Sequence, residues 1–572
     1  MSTDELARAA SPSPAHQLLH RLAGSAVIDP PGALSGVRSP DTVVEDFCPL
    51  GESLEWRLAE AYWSTAGALP FVRNDVPYLV NNTGRLSESA AELVFADWCA
   101  RASSLPARLV VFELGAGTGL FARYFLDAFA ACCQREGRDF YDRLTYVVSD
   151  RFTGTVDGWR AAGLFVGHEA HVATHVCDAA TPVSPQGPPQ VVFCNYVLDV
   201  LPPVIARRSE AGLEQLCVRT HWPTSPGAAA GGGLPSLGEA RALLSSVAVD
   251  LSRLLPALPL LMFETAYRPW TPASAAEATL AALIPDGQRA IVNGGALASI
   301  TALARLLPED GFILINDYGP VRAADVTEHA GVQRFGGSVA LGLNFPLLTR
   351  ALGDSGLAVL APPGDEQRRL HTRVVARRAN ESIVSALGRF FSAESDHFRD
   401  APQEEARQHV AAGRTDAAVA AYRTMVERSP RDWQLLGETA EYVGLQLRDH
   451  AAGLQLVRAA LERNPWYSPW LWNILGDCLY YRDKLDDAHA AFEQACRIDP
   501  DDPRSNLNLA YTLSARGDQA AALAAIARGL AHDGRGLFRQ RLLEKQSQVL
   551  ALLAERAAAE QERLARRAER FR

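Results

Sequence analysis

The sequence predicts a chain in two parts, an α/β domain of Rossmann-like type followed by an all-α solenoid of helical repeats. Three observations carry that reading. Apolar, β-rich runs alternate with helical patterns from about residue 110 to residue 376. A glycine turn, Gly115-Ala116-Gly117-Thr118-Gly119, separates the first of those runs from a helix. Further on, Pro430, Pro465 and Pro500 recur every 35 residues, each behind a similar alanine-rich helix.

The chain has 572 residues, too many for one domain. A formal net charge of −10 argues against nucleic acid as the main partner. The 9 cysteines are scattered without a C-x-x-C pair and read as reduced core thiols of a cytoplasmic protein. No apolar run reaches the roughly 18 residues of a membrane span, so no membrane partner is expected. Residues 1–40 contain proline and serine but no basic-then-apolar leader, and read as a disordered segment. No cluster of His, Cys and Asp has metal-ligand spacing, and neither a phosphate-loop signature nor G-x-S-x-G occurs.

Residues 46–102 have a helical pattern broken by a turn at 81–84. Residues 110–114 read as a buried strand. Gly115, Gly117 and Gly119 then open the turn so that a ligand can lie against backbone. The N–H groups at the start of the next helix favour an anionic or carboxylate-bearing ligand. The spacing is G-x-G-x-G with Glu113 two residues ahead, not the G-x-G-x-x-G of dinucleotide sites. Residues 144–150 form a strand ending in Asp150, placed to receive ribose hydroxyls or else to cap a helix. After a strand at 171–176, Asp178 either meets an adenine amino group or serves its own loop. The fourth strand, 190–195, points Asn195, Tyr196 and Asp199 at a substrate. A β excursion at 207–220 and a flexible Ala/Gly-rich loop at 224–237 follow. Helices are expected at 239–255 and 300–307, and a buried strand at 311–319. Strands near 357–360 and 371–376 close the sheet, and 381–400 is a linker.

The repeat helices at 418–429, 453–464, 488–499 and 522–533, with their period of 34–35 residues, resemble tetratricopeptide (TPR) repeats. Ala417, Ala452, Ala488 and Ala521 stand where paired helices must touch. Such units bury their apolar faces only by stacking, and their ends need caps. The repeats span 401–535, and 536–572 is a charge-laced capping helix. The aromatic-dense stretch 466–472 is expected to be partly exposed. A TPR groove implies a protein or peptide partner, and a homodimer is compatible with the array.

The string from Glu113 to Gly119, E-L-G-A-G-T-G, resembles motif I of the class I S-adenosylmethionine (SAM) methyltransferases. Residues 41–380 form that domain, and within them 45–378 resemble the MidA family. The similarity rests on Asp317-Tyr318-Gly319 after a late strand and on Asn195 leading Asp199-Val200-Leu201-Pro202. Leu343-Asn344-Phe345 and the upstream stretches 78–82 and 87–89 extend it. The resemblance implies a SAM-bound domain that methylates a protein, with arginine guanidinium as the family's acceptor. It also implies that Glu113, Gly115, Ala116, Gly117, Thr118, Gly119, Asp150, Asp178 and Asn195 hold the cofactor. Asn195, Tyr196, Asp199 and Asp317 would act on the acceptor, and Tyr78, Asn81, Asn82, Tyr318 and Asn344 would bind it. The chain departs from the family at Tyr196, where glutamate is usual, and at Asn344, where aspartate is usual.

Overall fold

The computed structural model describes residues 40–76, 83–223, 234–246, 250–326, 332–378 and 380–570. The expectations for residues 1–39, for Tyr78, Asn81 and Asn82, and for most of the 224–237 loop lie outside the described residues. The chain divides into two compact units between Phe398 and Arg399.

The first unit opens with strand β1 (Val43–Pro49), then helices α1 (Leu54–Ala66), α2 (Leu69–Val72) and α3 (Arg85–Ala100). The helical expectation for 46–102 holds from Leu54 onward and is corrected over Asp46–Pro49, which belong to β1. The stretch is a strand because it pairs with residues far along the chain, which a local pattern cannot reveal. Next come β2 (Leu109–Leu114), α4 (Leu120–Glu136), β3 (Leu144–Asp150), α5 (Thr153–Ala161), β4 (Val172–Val176) and β5 (Val191–Asn195). A hairpin of β6 (Val204–Ser209) and β7 (Gly212–His221) precedes α6 (Leu237–Leu244), β8 (Met262–Pro269), α7 (Ala275–Ala282), β9 (Arg289–Val292) and α8 (Gly294–Leu306). The unit finishes with β10 (Phe312–Asp317), β11 (Gln333–Phe335), β12 (Ser338–Ala340), α9 (Phe345–Asp354), β13 (Ala358–Leu360), β14 (His371–Ala376) and α10 (Glu381–Phe390).

Seven strands form the main sheet in the order β13-β14-β10-β5-β2-β3-β4. The five from β10 to β4 run parallel, and β14 and β13 extend the edge antiparallel. Every residue of β2, β5 and β10 is buried, as strands covered on both faces require. The chain leaves β2 in one direction through β3 and β4 and in the other through β5 and β10, so the connection reverses between β2 and β5.

A second, antiparallel sheet joins β1, β7, β6 and β9, with β8 also on β7. The β excursion accounts for β6 and β7 only, and β8 and β9 are additions. The helix expected at 239–255 stops at Leu244; Leu251–Leu260 is a 3-10 segment containing Pro256 and Pro259, which an α-helix interior excludes. The helix expected at 300–307 begins earlier, at Gly294. The linker expected at 381–400 is helical. Ile383, Ala386 and Leu387 of α10 are buried, and Asn380 both caps it and donates Nδ2 to Asp97 Oδ1 of α3 at 2.8 Å.

Helix α11 (Ala393–Ala411) carries the chain across the division. The second unit continues with α12 (Thr415–Arg428), α13 (Trp433–Glu441), α14 (His450–Arg463), α15 (Pro469–Tyr480), α16 (Leu485–Ile498), α17 (Pro503–Ala515), α18 (Gln519–His532) and the long α19 (Arg539–Glu569). A π-helical turn, Tyr442–Gln446, extends α13. The turn within each helix pair carries one left-handed residue: Gly413 (φ 67°), Arg448 (φ 61°), Asp483 (φ 58°) and Gly517 (φ 89°). The small buried contacts are Ala418, Gly453, Ala488 and Ala522; Ala417, Ala452 and Ala521 are only half-buried, which moves that register by one residue. At Gly453 a Cβ would lie 2.5 Å from Gly444 Cα, so backbone touches backbone there. Trp433 is buried, whereas Trp466, Tyr467, Trp470 and Trp472 are half-buried.

Candidate functional site

A cavity of about 400 Å³ opens at the carboxyl ends of the parallel strands, where the connection reverses between β2 and β5. That crevice is the usual ligand position of open α/β sheets. The sheet contributes Gly115 and Gly117 after β2, Asp150 from β3, Asp178 after β4, Tyr196 and Asp199 after β5, and Tyr318 after β10. The opposite wall comes from outside the sheet. It comprises Trp56, Glu60 and Trp63 of α1, Phe71 of α2, and residues of the β11–β12 hairpin.

The turn after β2 depends on its glycines. Gly115, Gly117 and Gly119 have φ of 66°, 55° and 74°, and a Cβ on Gly115 would lie 2.5 Å from Val197 Cγ2. Ala116 N–H donates to Ser149 O at 2.8 Å, and Gly117 N–H donates to Asp150 Oδ2 at 3.0 Å. Trp159 Nε1 donates to Gly117 O at 2.9 Å. Thr118 Oγ1 receives Leu120 N–H at 3.3 Å. Ala116, Thr118 and Gly119 therefore shape the turn from behind, and Gly115 and Gly117 present backbone to the cavity.

Asp150 accepts a second backbone N–H, from Phe152 at 3.1 Å, and burial raises its pKa. It joins β3 to the glycine turn while facing the cavity. Asp178 Oδ1 receives Ala180 N–H at 2.8 Å, and Oδ2 pairs with Arg151 Nε at 3.4 Å. Arg151 also pairs with Glu60 of α1, another lining residue. Glu113, expected at the ligand, sits fully buried outside the lining. Its Oε2 receives the Tyr146 hydroxyl at 2.8 Å, and burial lifts its pKa to about 8. Its contribution is to the floor beneath the turn.

At the other end Asn195 is also behind the lining, with Oδ1 receiving Asn316 Nδ2 at 2.8 Å. Tyr196 has φ 53°, held by its N–H on Asn316 O at 3.0 Å, and its ring lies 5.2 Å from that of Tyr318. Asp199 is 8 % exposed and lines the cavity; its Oδ1 has no partner among the described residues, and burial lifts its pKa to about 7. Asp317 is fully buried, accepts Tyr318 N–H at 2.8 Å, and lies beside Asp199. Burial, and then the neighbouring Asp199 charge, hold Asp317 well above the usual carboxylate range.

Asn344 is corrected. Its Oδ1 caps α9 through Leu347 N–H at 3.2 Å, its Nδ2 donates to Ile291 O at 3.1 Å, and it is 1 % exposed. Both ends of the amide are committed to the fold. The residues missed in the sequence are those of the outer wall. Trp63 Nε1 donates to Ser338 Oγ at 3.1 Å, and buried Glu55 pairs with Arg334, binding α1 to the hairpin. Trp56 and Trp63, seven residues apart on one helical face, are the available sequence signal.

Residues 94–343 match the family model described as "Putative S-adenosyl-L-methionine-dependent methyltransferase". Residues 469–502 and 491–524 match two tetratricopeptide repeat models. The curated protein "BBSome complex member BBS4" of Xenopus tropicalis is 30% identical over 107 residues, which span 19% of this chain and only 20% of that protein. Among solved structures the chain is similar to an uncharacterized protein from Burkholderia thailandensis, at 20% identity with a TM-score of 0.34, covering 57% of this chain and 80% of that one. It is also similar to a protein of that organism bound to S-adenosyl-homocysteine, at 19% identity and TM-score 0.32, covering 57% and 81%. The α/β unit is thus methyltransferase-like, the helical unit carries TPR repeats, and SAM is the cofactor that goes with the family match. The residues present fit it. The cavity has the size of a small-ligand site, and Gly115, Gly117, Asp150 and Asp199 are among its lining residues.

Proposed function

We propose that the chain is a cytoplasmic, MidA-like protein methyltransferase, acting on a nitrogen or oxygen nucleophile of a protein or peptide recruited by its repeats. The observation that supports it most is the convergence of the glycine turn, Asp150 and Asp199 on one cavity. When bound, SAM supplies a methyl group on a sulfonium, open to in-line attack. The glycine turn at Gly115 and Gly117 would pack against its methionine end, with Asp150 at its ribose and Asp178 at its adenine.

Asp199 then faces the acceptor. With a pKa near neutrality it can take the proton that a nitrogen or oxygen loses on methylation. Asp317 lies beside it, and burial together with the Asp199 charge holds its carboxyl well above the usual range, which disfavours two charges on the pair. Tyr196 and Tyr318 flank the acceptor, and the α1 and hairpin wall excludes water. One carboxylate with two aromatic rings suits a planar cation such as a guanidinium, the acceptor class of the resembled family.

Titration calorimetry with SAM is the test. Binding tighter than about 100 μM (a free energy beyond roughly −5 kcal/mol) that disappears in Gly117→Arg is expected. An intact, folded chain without such binding would sink the reading.

A further inference from the structure

We propose that the exposed face of the last helix is a self-complementary seam along which two copies of this chain pair antiparallel. Such pairing is independent of what the cavity binds. Helix α19 is 31 residues long, but its packing on the repeats ends early. Leu542, Lys545 and Val549 are buried, and Arg556 Nη1 donates to Gly517 O at 3.1 Å. No residue from Leu550 to Arg570 is buried. Beyond Arg556 the ion pairs among the described residues lie within the helix, Glu560 with Arg563 and Glu562 with Arg566. A lone helical stretch of that length is marginal in water, and such pairs add little to it.

The stretch is nevertheless cleanly two-sided. At about 100° per residue, every charged residue from Glu555 to Arg570 falls on one half of the circumference. The other half carries a row of Leu550, Ala554, Ala557, Gln561, Leu564 and Ala568, spaced alternately four and three apart as in a coiled-coil seam. The row is turned about 100° from Leu542 and Val549, so it lies off the face that packs on the repeats. Leu550 and Leu564 are 51% and 54% exposed.

Reversed, the row is its own complement in size. In an antiparallel pair centred at the level of Ala559, Leu550 meets Ala568 of the second copy, Leu564 meets Ala554, and Gln561 meets Ala557. Each bulky side chain then sits over an alanine. A parallel pair would set leucine on leucine and alanine on alanine, leaving gaps between bulges. Ala551, Ala558 and Ala565 flank the row on one side and let the two backbones approach closely. On the other side the two Glu560 side chains come near the axis, each already holding Arg563 at 2.7 Å, so the four charges balance. A membrane suits this face less well. Helices that lie on lipid carry mainly Lys and Arg opposite Trp, Phe or Leu, whereas this stretch has four acids against five bases and a row rich in alanine.

The test is sedimentation velocity on the full chain from about 1 to about 100 μM, since a seam only about 27 Å long belongs with the small, weak interfaces. A shift from monomer to dimer is expected over that range. Leu564→Asp should weaken pairing at least about 10-fold, because it would bury a charge against an alanine. Its melting temperature at the lowest concentration should not move, since the position is exposed in the single chain. Ala554→Leu and Leu564→Ala should each weaken pairing, the first by crowding and the second by leaving a gap. An equimolar mixture of those two variants should recover it, because every leucine again meets an alanine. Tighter pairing of Ala554→Leu by itself would mean a parallel arrangement and overturn the proposal. A chain that stays monomeric throughout, or a dimer indifferent to Leu564→Asp, overturns it as well. So does a monomer that co-sediments with vesicles of phosphatidylcholine and phosphatidylglycerol and loses that binding in Leu564→Asp, which would give the face to lipid.

Discussion

A carboxyl group sealed from water keeps its proton, and Glu113 is the clearest instance. Its pKa of about 8 in the fold stands above the ordinary 4.5. Between those values the folded chain holds a proton that the unfolded chain has lost, so stability falls as pH rises across that window, by at most about 1.4 kcal/mol per unit. Glu113→Gln should therefore flatten the fall of melting temperature between pH 5 and 8, measured by calorimetric scans. Asp199 gives a kinetic counterpart. If it accepts the acceptor's proton, methyl transfer rises with pH through about 7, the value burial gives it. Asp199→Asn should cost at least ~100-fold in kcat with SAM affinity nearly unchanged, because a positioned base contributes on that order. That Asp199 follows closely on the fourth parallel strand was legible in the sequence. That Asn344 is a helix cap was not, since an Asn before a helix reads the same whether its amide faces a ligand or Leu347 N–H.

The repeat helices were legible to within about three residues, because period and proline spacing report on them directly. Which small residues touch was misjudged by one position, since a single step rotates a helix face by about 100° and the period is blind to it. The left-handed turn residues share that period. Two are glycine, but Arg448 and Asp483 hold φ of 61° and 58° with full side chains. Left-handed backbone costs roughly 1–2 kcal/mol for such residues and nothing for glycine. Arg448→Gly and Asp483→Gly are each expected to stabilise the repeats by about 1 kcal/mol after glycine's entropy loss is deducted, read as a higher urea midpoint. A lower midpoint would mean that those side chains make contacts worth more than the strain.

At the scale of the whole chain, the parallel sheet and the repeats were readable because their patterns are local, and the antiparallel sheet was not. Of that sheet only the β6–β7 hairpin was anticipated; β9 has four residues, β8 is separated from its partner β7 by residues 222–261, and the partner of β1 lies far off. Ligand linkage belongs to this scale too. S-adenosyl-homocysteine at 100 times its dissociation constant should stabilise the unit that binds it by about 2.7 kcal/mol, seen as a raised melting transition. Loss of that rise in Gly117→Arg would confirm where it acts. The long reach of β1 has a consequence in time. Thr42 Oγ1 and His221 Nδ1 meet at 2.9 Å although 179 residues separate them. At translation rates of roughly 5–20 residues per second, the earlier stretch emerges from the ribosome about 10–35 s before its mate exists. Throughout that interval its edge is an open invitation to other nascent chains, and holdase protection during synthesis is what this protein's biogenesis would call for.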